Sequence, residues 1–543
     1  MNVKGKFLDL LPGIVVTLIA ALIAFRVYPD WGIAWDELFQ REPGIQSWNY
    51  IFNGDKKLFQ DAVVANHGAG FELLLVAVEK MLHLKDMHDI YLNRHIVTHL
   101  FFLLTSFTGY LLFLKLFKKS WIATLGLLML LLSPRIYAHS YFNTKDMPFF
   151  CMITVILYCA QLAFENKKVI YWILLGAAIG FATSIRIMGV MYGMFVLGMA
   201  FIDFLSLGKD PQVRKQFFIN IGSFVGVGVL VLYASWPFLW PAPIANFSKS
   251  FNEMANYTQW GGSVWFQGAY IKGEELPSSY FPTWFVISNP ILWLSLGVGG
   301  LFWVLKDFFG NIKLFISNSL ERNFSLAVAC FAAPVVAVIA FHSIIYDDWR
   351  HLYFIYPAFV VLAMYVVAKL KDVRIQYAVG GAGVVQAGLV LVFMMNNHPF
   401  QQVYFNELVS KNDEYLRKNY ELDYWGCGMK QELEYLLAHD KSPVIKISGN
   451  FQDILTNNIT CLKPEDRARL KYVDPKDIDK EGAKYYLTNF RGHPEDYPSK
   501  DIVWEKKMLE STILRIYEIK PTVQPPQQAQ APAAQPAPTV KKP

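Results

Sequence analysis

The chain has 543 residues, 54% of them hydrophobic and only 17% charged. A soluble protein carries charge on about a quarter of its residues, so this composition excludes an ordinary water-soluble enzyme. The formal charge of +6 is spread over the connecting segments and forms no nucleic-acid patch, and the five cysteines fit no zinc spacing.

The apolar residues fall into runs of about 20, the length that crosses a bilayer. Taken in order they predict eleven spans, roughly at 9–27, 91–114, 120–137, 147–164, 169–186, 188–205, 217–238, 284–305, 324–345, 351–368 and 375–395. No convincing signal-peptide cleavage site is seen at the N-terminus, so the first run reads as a retained span. Trp and Tyr gather near the ends of the runs, as interfacial belts require. Alternate connections are short and basic, among them those with Lys115, Lys118 and Lys119, with Lys167 and Lys168, and with Lys369, Lys371 and Arg374. The positive-inside rule makes these cytoplasmic. The N-terminus is then inside, the C-terminus outside, and the expected location is a bacterial inner membrane.

The predicted outer face holds the loop 28–90, the segment 138–146, the loop 239–283, the turn 346–350 and everything after about 396. The first loop contains amphipathic segments such as Phe71 to Leu84 that suit the membrane surface, and 239–283, rich in Trp, Tyr, Phe and Gly, reads as an interfacial loop. Residues 1–396 form the expected transmembrane module and 397–520 a small α/β domain. In the latter, Lys430 to His439 suggests a helix, while 444–447, 485–487 and Thr512 to Ile519 suggest strands. The tail 521–543, rich in Pro, Gln and Ala, is expected to carry no fold. Cys151, Cys159 and Cys330 lie in apolar runs as core residues; Cys427 and Cys461 lie in the polar region, where a disulfide stays open.

Several polar clusters stand on the outer face. Asp36 and Glu37 follow the first span; they read either as solvated boundary residues or as chemistry. The stretch Ser133 to Pro148 packs Arg135, His139, Lys145 and Asp146 into a connection that needs only a few turn residues. It is either a solvated turn or an anion site in which Arg135 or Lys145 holds phosphate oxygens. Arg186 sits between two spans with almost no loop, where a guanidinium needs a partner or snorkels to the interface. Arg350 and His351 close the turn after Asp347 and Asp348. His95 and His99, spaced i, i+4, could face a metal together but lack a third ligand and read better as interfacial; Arg94 lies beside them, and His67 is a single. There is no nucleotide-binding glycine loop, HExxH helix or nucleophile elbow.

The order of these motifs resembles the GT-C superfamily: Asp-Glu opening the first outer loop, Arg…His-Ser…Asn…Lys-Asp…Pro in the second, and about eleven spans. It is most similar to the protein O-mannosyltransferase-like branch, family 39, which includes the lipid A aminoarabinose transferases. The segments 349–354, 398–407 and 423–426 look like those of bacterial members of this branch, and the resemblance covers most of residues 1–430. It implies a polytopic GT-C fold and a sugar donor carried on a polyprenyl phosphate or pyrophosphate. It also implies Asp36 as catalytic base with Glu37 as its neighbour, Asp146 as the second-loop acid, and Arg135 and Lys145 at the lipid phosphate. Arg186, Arg350 and His351 are the further outer-face candidates for donor phosphate. No cofactor is certain; a divalent metal on Asp36, Glu37 and Asp146 stays open.

A carboxylate can take the proton of a hydroxyl acceptor, and cations can stabilise a departing phosphate. Single displacement with inversion is the expectation, on a protein, lipid or glycan acceptor. The competing class is a transporter or flippase of an amphiphilic substrate, which predicts ionisable groups near mid-bilayer and helices broken in paired halves. Here the charges crowd the outer loops and no internal repeat appears.

Overall fold

The computed structural model describes residues 3–208, 210–255, 260–497 and 501–519; the predicted tail 521–543 lies outside them. Among the described residues nine helices are long and apolar enough to cross a membrane. A bent pair, Ser120–Leu131 with Pro134–Phe142, and the shorter Val169–Ile185 complete the eleven predicted runs. The protein is a polytopic helical membrane protein.

The spans differ in what surrounds them. Asp146–Asn166 and Arg350–Lys369 have 83% of their apolar windows buried, whereas Pro211–Ser235 has 11%. The first two form the centre of the bundle, and the last turns its apolar side outward, where lipid replaces protein as the apolar neighbour. Each central span begins with a charged site residue, Asp146 or Arg350. A carboxylate suits the positive end of a helix, whereas a guanidinium there needs acidic partners.

The bend at 132–134 corrects the reading of 120–137 as one straight span followed by a loop. Pro134 has no N–H, and Ser133 before it is driven to extended backbone (φ −92°, ψ 105°). The chain turns by 61° and restarts as Pro134–Phe142, so the predicted segment 138–146 is mostly buried helix rather than a solvated turn. A second proline, Pro290, separates a short helix Tyr280–Ile287 from the span Ile291–Gly310.

At the end of the bundle that carries Asp146 and Arg350, the loop 28–90 contains helices Glu37–Asn53 and Gly70–Met81. The loop 239–283 contains a helix, Pro243–Ala255, and an antiparallel hairpin of β1 (Ser263–Phe266) and β2 (Ala269–Lys272). The C-terminal region forms a five-stranded sheet from β3 (Ile445–Gly449), β4 (Leu470–Tyr472), β5 (Tyr485–Thr488), β6 (Ile502–Met508) and β7 (Ser511–Glu518). Its order is β4-β3-β5-β7-β6, with β3 parallel to β4 and β5 and the β7 pairings antiparallel. Helices Met429–His439 and Gln452–Thr460 bury Leu433, Leu436 and Ile454 against it.

This domain is bonded to the loop that follows the first span. Asn458 accepts from Ile33 N–H (2.9 Å) and donates to Ile33 O (3.1 Å), and Trp35 N–H donates to Trp425 O (2.9 Å). Gly32 passes so close to Cys427 O and Asn458 Oδ1 that a Cβ there would overlap them. That close passage sets the position of the next turn, which carries Asp36. Cys427 and Cys461 are free thiols in separate apolar clusters.

Candidate functional site

The site is built around Arg350. Its guanidinium lies between the rings of Trp425 (4.7 Å) and Tyr346 (4.9 Å) and meets three carboxylates. Nη1 donates to Asp146 Oδ2 at 3.0 Å. Nε lies 2.8 Å from Asp347 Oδ2, an ion contact without hydrogen-bond alignment. Nη2 is 3.9 Å from Asp36 Oδ2. The arginine is 3% exposed, which its charge tolerates because it is paired.

Asp146 is a second hub. Besides Arg350 it accepts from Arg186 and from Asn143 Nδ2 (2.9 Å), while its own N–H donates to Asn143 Oδ1 (2.8 Å). Arg186 reaches it because Gly68 and Gly70 leave no side chain against Ser184 and Ile185, so the 67–70 backbone lies directly on the end of Val169–Ile185. The same approach brings His67 within electrostatic range of Arg186 and Lys145. Burial, reinforced by those cations, lowers the His67 ring to about 3. With Nδ1 on Val63 O (2.5 Å), a carbonyl that can only accept, the ring is neutral with its lone pair on Nε2.

Lys145 differs from its neighbours. It is partly buried, and no carboxylate lies within ion-pair distance of it among the described residues. Burial, then the Arg186 charge, lowers its ammonium well below the usual lysine range, with Asp36 acting in the opposite sense. Asp36 has the most accessible carboxylate of the three on Arg350, 38% exposed against 2% for Asp146 and 12% for Asp347. Burial raises the Asp347 carboxyl well above its ordinary value against the pull of Arg350.

The structure therefore brings together Asp36, Lys145, Asp146, Arg186 and Arg350 from four separate stretches. His351 lies beside them, edge-on to Tyr346 (4.6 Å). It does not bring in Glu37 or Arg135. Glu37 is fully buried: Oε1 accepts the Ala34 N–H (2.7 Å) and Oε2 meets His95 Nε2 (2.9 Å). That bond also answers the i, i+4 histidine pair, since His99 instead bonds Ser140 Oγ through Nδ1 (2.7 Å) and stacks on Tyr141 (3.9 Å). Arg135 donates to Asp348 Oδ2 (2.9 Å) and Tyr404 O (3.2 Å) between the rings of Trp284 and Phe405, both at 4.9 Å; it is spent within the core. With Glu37 turned away, Asp36, Glu37 and Asp146 do not converge. Among the described residues no three His, Cys, Asp or Glu side chains form a metal-binding group.

Sequence reasoning named Asp347, His67 and Asn143 without giving them a role in the site, and did not see the aromatic clamp on Arg350. The adjacency of Asp347 to Arg350 and the Asp-Tyr-Trp-Gly motif at 423–426 were the available signals.

These features define a membrane protein with a half-open carboxylate beside two paired arginines and a lysine that makes no ion pair among the described residues, at one end of its bundle. Residues 92–240 match the family of dolichyl-phosphate-mannose-protein mannosyltransferases. The match bears out the family-39 resemblance over the part of the chain that contributes Lys145, Asp146 and Arg186. Among solved structures, the chain is similar to ArnT from Cupriavidus metallidurans in the apo state, at 13% identity and a TM-score of 0.49, covering 93% of this chain and 97% of that one. It is also similar to the Archaeoglobus fulgidus oligosaccharyltransferase in the apo form, at 12% identity and a TM-score of 0.48, covering 88% and 70%. No curated protein matches the sequence.

Proposed function

We propose that the chain is an inverting glycosyltransferase of the inner membrane that moves a sugar from a polyprenyl-phosphate carrier to a hydroxyl acceptor on the extracytoplasmic face. The observation that carries this reading is the division of labour around Arg350. Asp146 is consumed by two arginines, whereas Asp36 keeps an accessible carboxylate and Lys145 an amine with no ion pair among the described residues.

In this reading Asp36 accepts the proton of the acceptor hydroxyl as its oxygen bonds to the anomeric carbon. The bond from that carbon to the phosphate oxygen breaks on the opposite side, and polyprenyl phosphate departs. Lys145 holds the phosphate with Arg186 and Arg350 behind it, so the developing charge meets cations placed in advance. One displacement inverts the anomeric carbon. Asp146 positions the two arginines and does not itself take a proton, since both its oxygens are engaged. In this reading the short basic connections face the cytoplasm with the N-terminus, and the site and the C-terminal sheet domain lie on the other side.

The test is transfer by purified protein in lipid nanodiscs, given a polyprenyl-phosphate hexose or pentose labelled in the sugar and an envelope extract as acceptor. Label should move to the acceptor and Asp36→Asn should abolish the movement. Movement of intact labelled lipid across sealed vesicles without cleavage would identify a flippase instead.

A further inference from the structure

A cleft outside the Arg350 cluster lies between the β1–β2 hairpin, the 417–424 segment and the 489–494 loop of the C-terminal domain. We propose that this cleft binds a carbohydrate, and that the acceptor hydroxyl of the reaction belongs to a glycan held there. The inference rests on the glycosyltransferase reading above and narrows its acceptor.

Its walls are aromatic. Trp265 and Tyr270 face each other across the hairpin as a cross-strand pair with ring centroids 4.6 Å apart; Tyr424 and Phe490 line the other side. Two polar groups stand among these rings. Arg491 lies over the rings of Tyr424 (3.6 Å) and Trp35 (4.1 Å) and its guanidinium donates only Nη1, to Tyr424 O (2.7 Å), which leaves further N–H donors of its fork unused among the described residues. Glu421 has no ion pair among the described residues; burial holds its carboxyl up to about 7 against the pull of Arg491. Near neutral pH it can therefore donate or accept. Flat apolar rings beside a guanidinium fork and a carboxyl match the apolar C–H face and neighbouring hydroxyls of a pyranose.

An extended peptide would need an unpaired strand edge for its main-chain bonds. Here the near edge of the hairpin is already used: Phe266 bridges Tyr420, Gly268 N–H donates to Asn419 O (3.3 Å), and Trp265 Nε1–H donates to Arg417 O (3.1 Å). What remains open is the Tyr270 ring, 44% exposed, with the half-buried Trp265 beside it and the side-chain polar groups of the cleft, and these suit a sugar. The cleft also adjoins the chemistry. Trp35, under Arg491, immediately precedes Asp36, and Tyr424 neighbours Tyr346 (6.3 Å), the ring beneath Arg350.

The test is saturation-transfer NMR on the full chain in nanodiscs, with methyl glycosides of the common hexoses and N-acetylhexosamines in one arm and acetyl-serine-amide in the other. At least one glycoside should receive saturation on its ring protons. Trp265→Ala and, for a variant that keeps the shape of the cleft, Glu421→Gln should each weaken that binding by about tenfold, the effect of losing one good contact. Asp36→Asn should keep it. Absence of any glycoside signal, a signal indifferent to Glu421→Gln, or binding of the serine amide alone would overturn the proposal. Absence of transfer by the wild-type protein with glycoside binding intact would count against the transferase reading and leave the cleft standing.

Discussion

Asp36 and Asp146 share one arginine, and the same isosteric change at each should give opposite phenotypes. In Asp36→Asn the lost ionic contact is a single one at 3.9 Å, made by a carboxylate that is 38% exposed. Solvent screening limits its worth to about 0–1 kcal/mol, so the variant should insert, fold and melt within a few degrees of wild type. Its turnover should fall by about 10²–10⁴, the usual yield of a positioned base. In Asp146→Asn the change falls on a carboxylate that is 2% exposed and bonded to Arg186, Arg350 and Asn143. Buried Arg350 and 18% exposed Arg186 each lose one charge contact, Arg350 keeping Asp347 and Asp36, so the cost approaches the value of about 3–5 kcal/mol for a buried pair broken from one side. Thermal unfolding in nanodiscs, with transfer measured well below the transition, separates the two effects. Wild-type turnover by Asp36→Asn, or an unshifted unfolding transition in Asp146→Asn, would refute these roles.

Glu37→Gln removes the charge from the bond to His95 and should cost about 1–3 kcal/mol, read as a lower melting temperature, while turnover per folded molecule stays near wild type; collapse of turnover with unchanged melting would return Glu37 to the chemistry. Lys145→Met removes an ammonium that balances no neighbouring carboxylate, so melting should hold or rise while KM for the lipid-linked donor increases about tenfold or more. Asp423 is 2% exposed, and burial raises its carboxyl from 3.8 to about 6, so the folded state holds this proton more tightly than the unfolded one. Stability from this group is greatest below pH about 4, falls as pH rises to about 6, and is level above, a change of about 3 kcal/mol. Asp423→Asn should remove that slope from denaturation curves taken across pH 4 to 7; an unaltered slope would show the burial argument to be wrong.

The spans were legible because a lipid-facing or buried helix must be apolar over its whole length, and that leaves a mark in composition alone. The bend at Ser133–Pro134 was also written in the sequence, as a proline inside an apolar run, yet the run looked continuous because residues on both sides are apolar. In the C-terminal domain β7 showed itself by alternation, while β4 and β6, the edge strands, did not. An edge strand buries little: β6 keeps mostly half-exposed positions before Met508, so no period of two stands out. Within the site, residue types and their common face could be read, but not the partners. Nothing local says that Glu37 will be claimed by His95, 58 residues on, or Arg135 by Asp348, 213 residues on. Arg135 and Arg350 look equivalent in the chain and differ only in what packs around them.

Asp347 and Asp348 show how that difference is set. Both hold left-handed backbone, with φ of 58° and 56°, at about 1–2 kcal/mol each for residues other than glycine. Such a pair persists only where the surroundings fix it, and here both carboxylates are anchored. Asp347 meets Arg350; Asp348 accepts from Arg135 and from the Tyr353 hydroxyl (3.0 Å). Two adjacent aspartates thus serve two arginines, one within the core and one at the site. By contacting Arg350 at Nε, Asp347 leaves Nη1 for Asp146 and Nη2 toward Asp36. The accessible carboxylate at Asp36 is therefore left at the far end of an arginine whose nearer contacts go to Asp146 and Asp347. For this reason the acid next to it in sequence, Glu37, informs the site less than the acids at 146, 347 and 348.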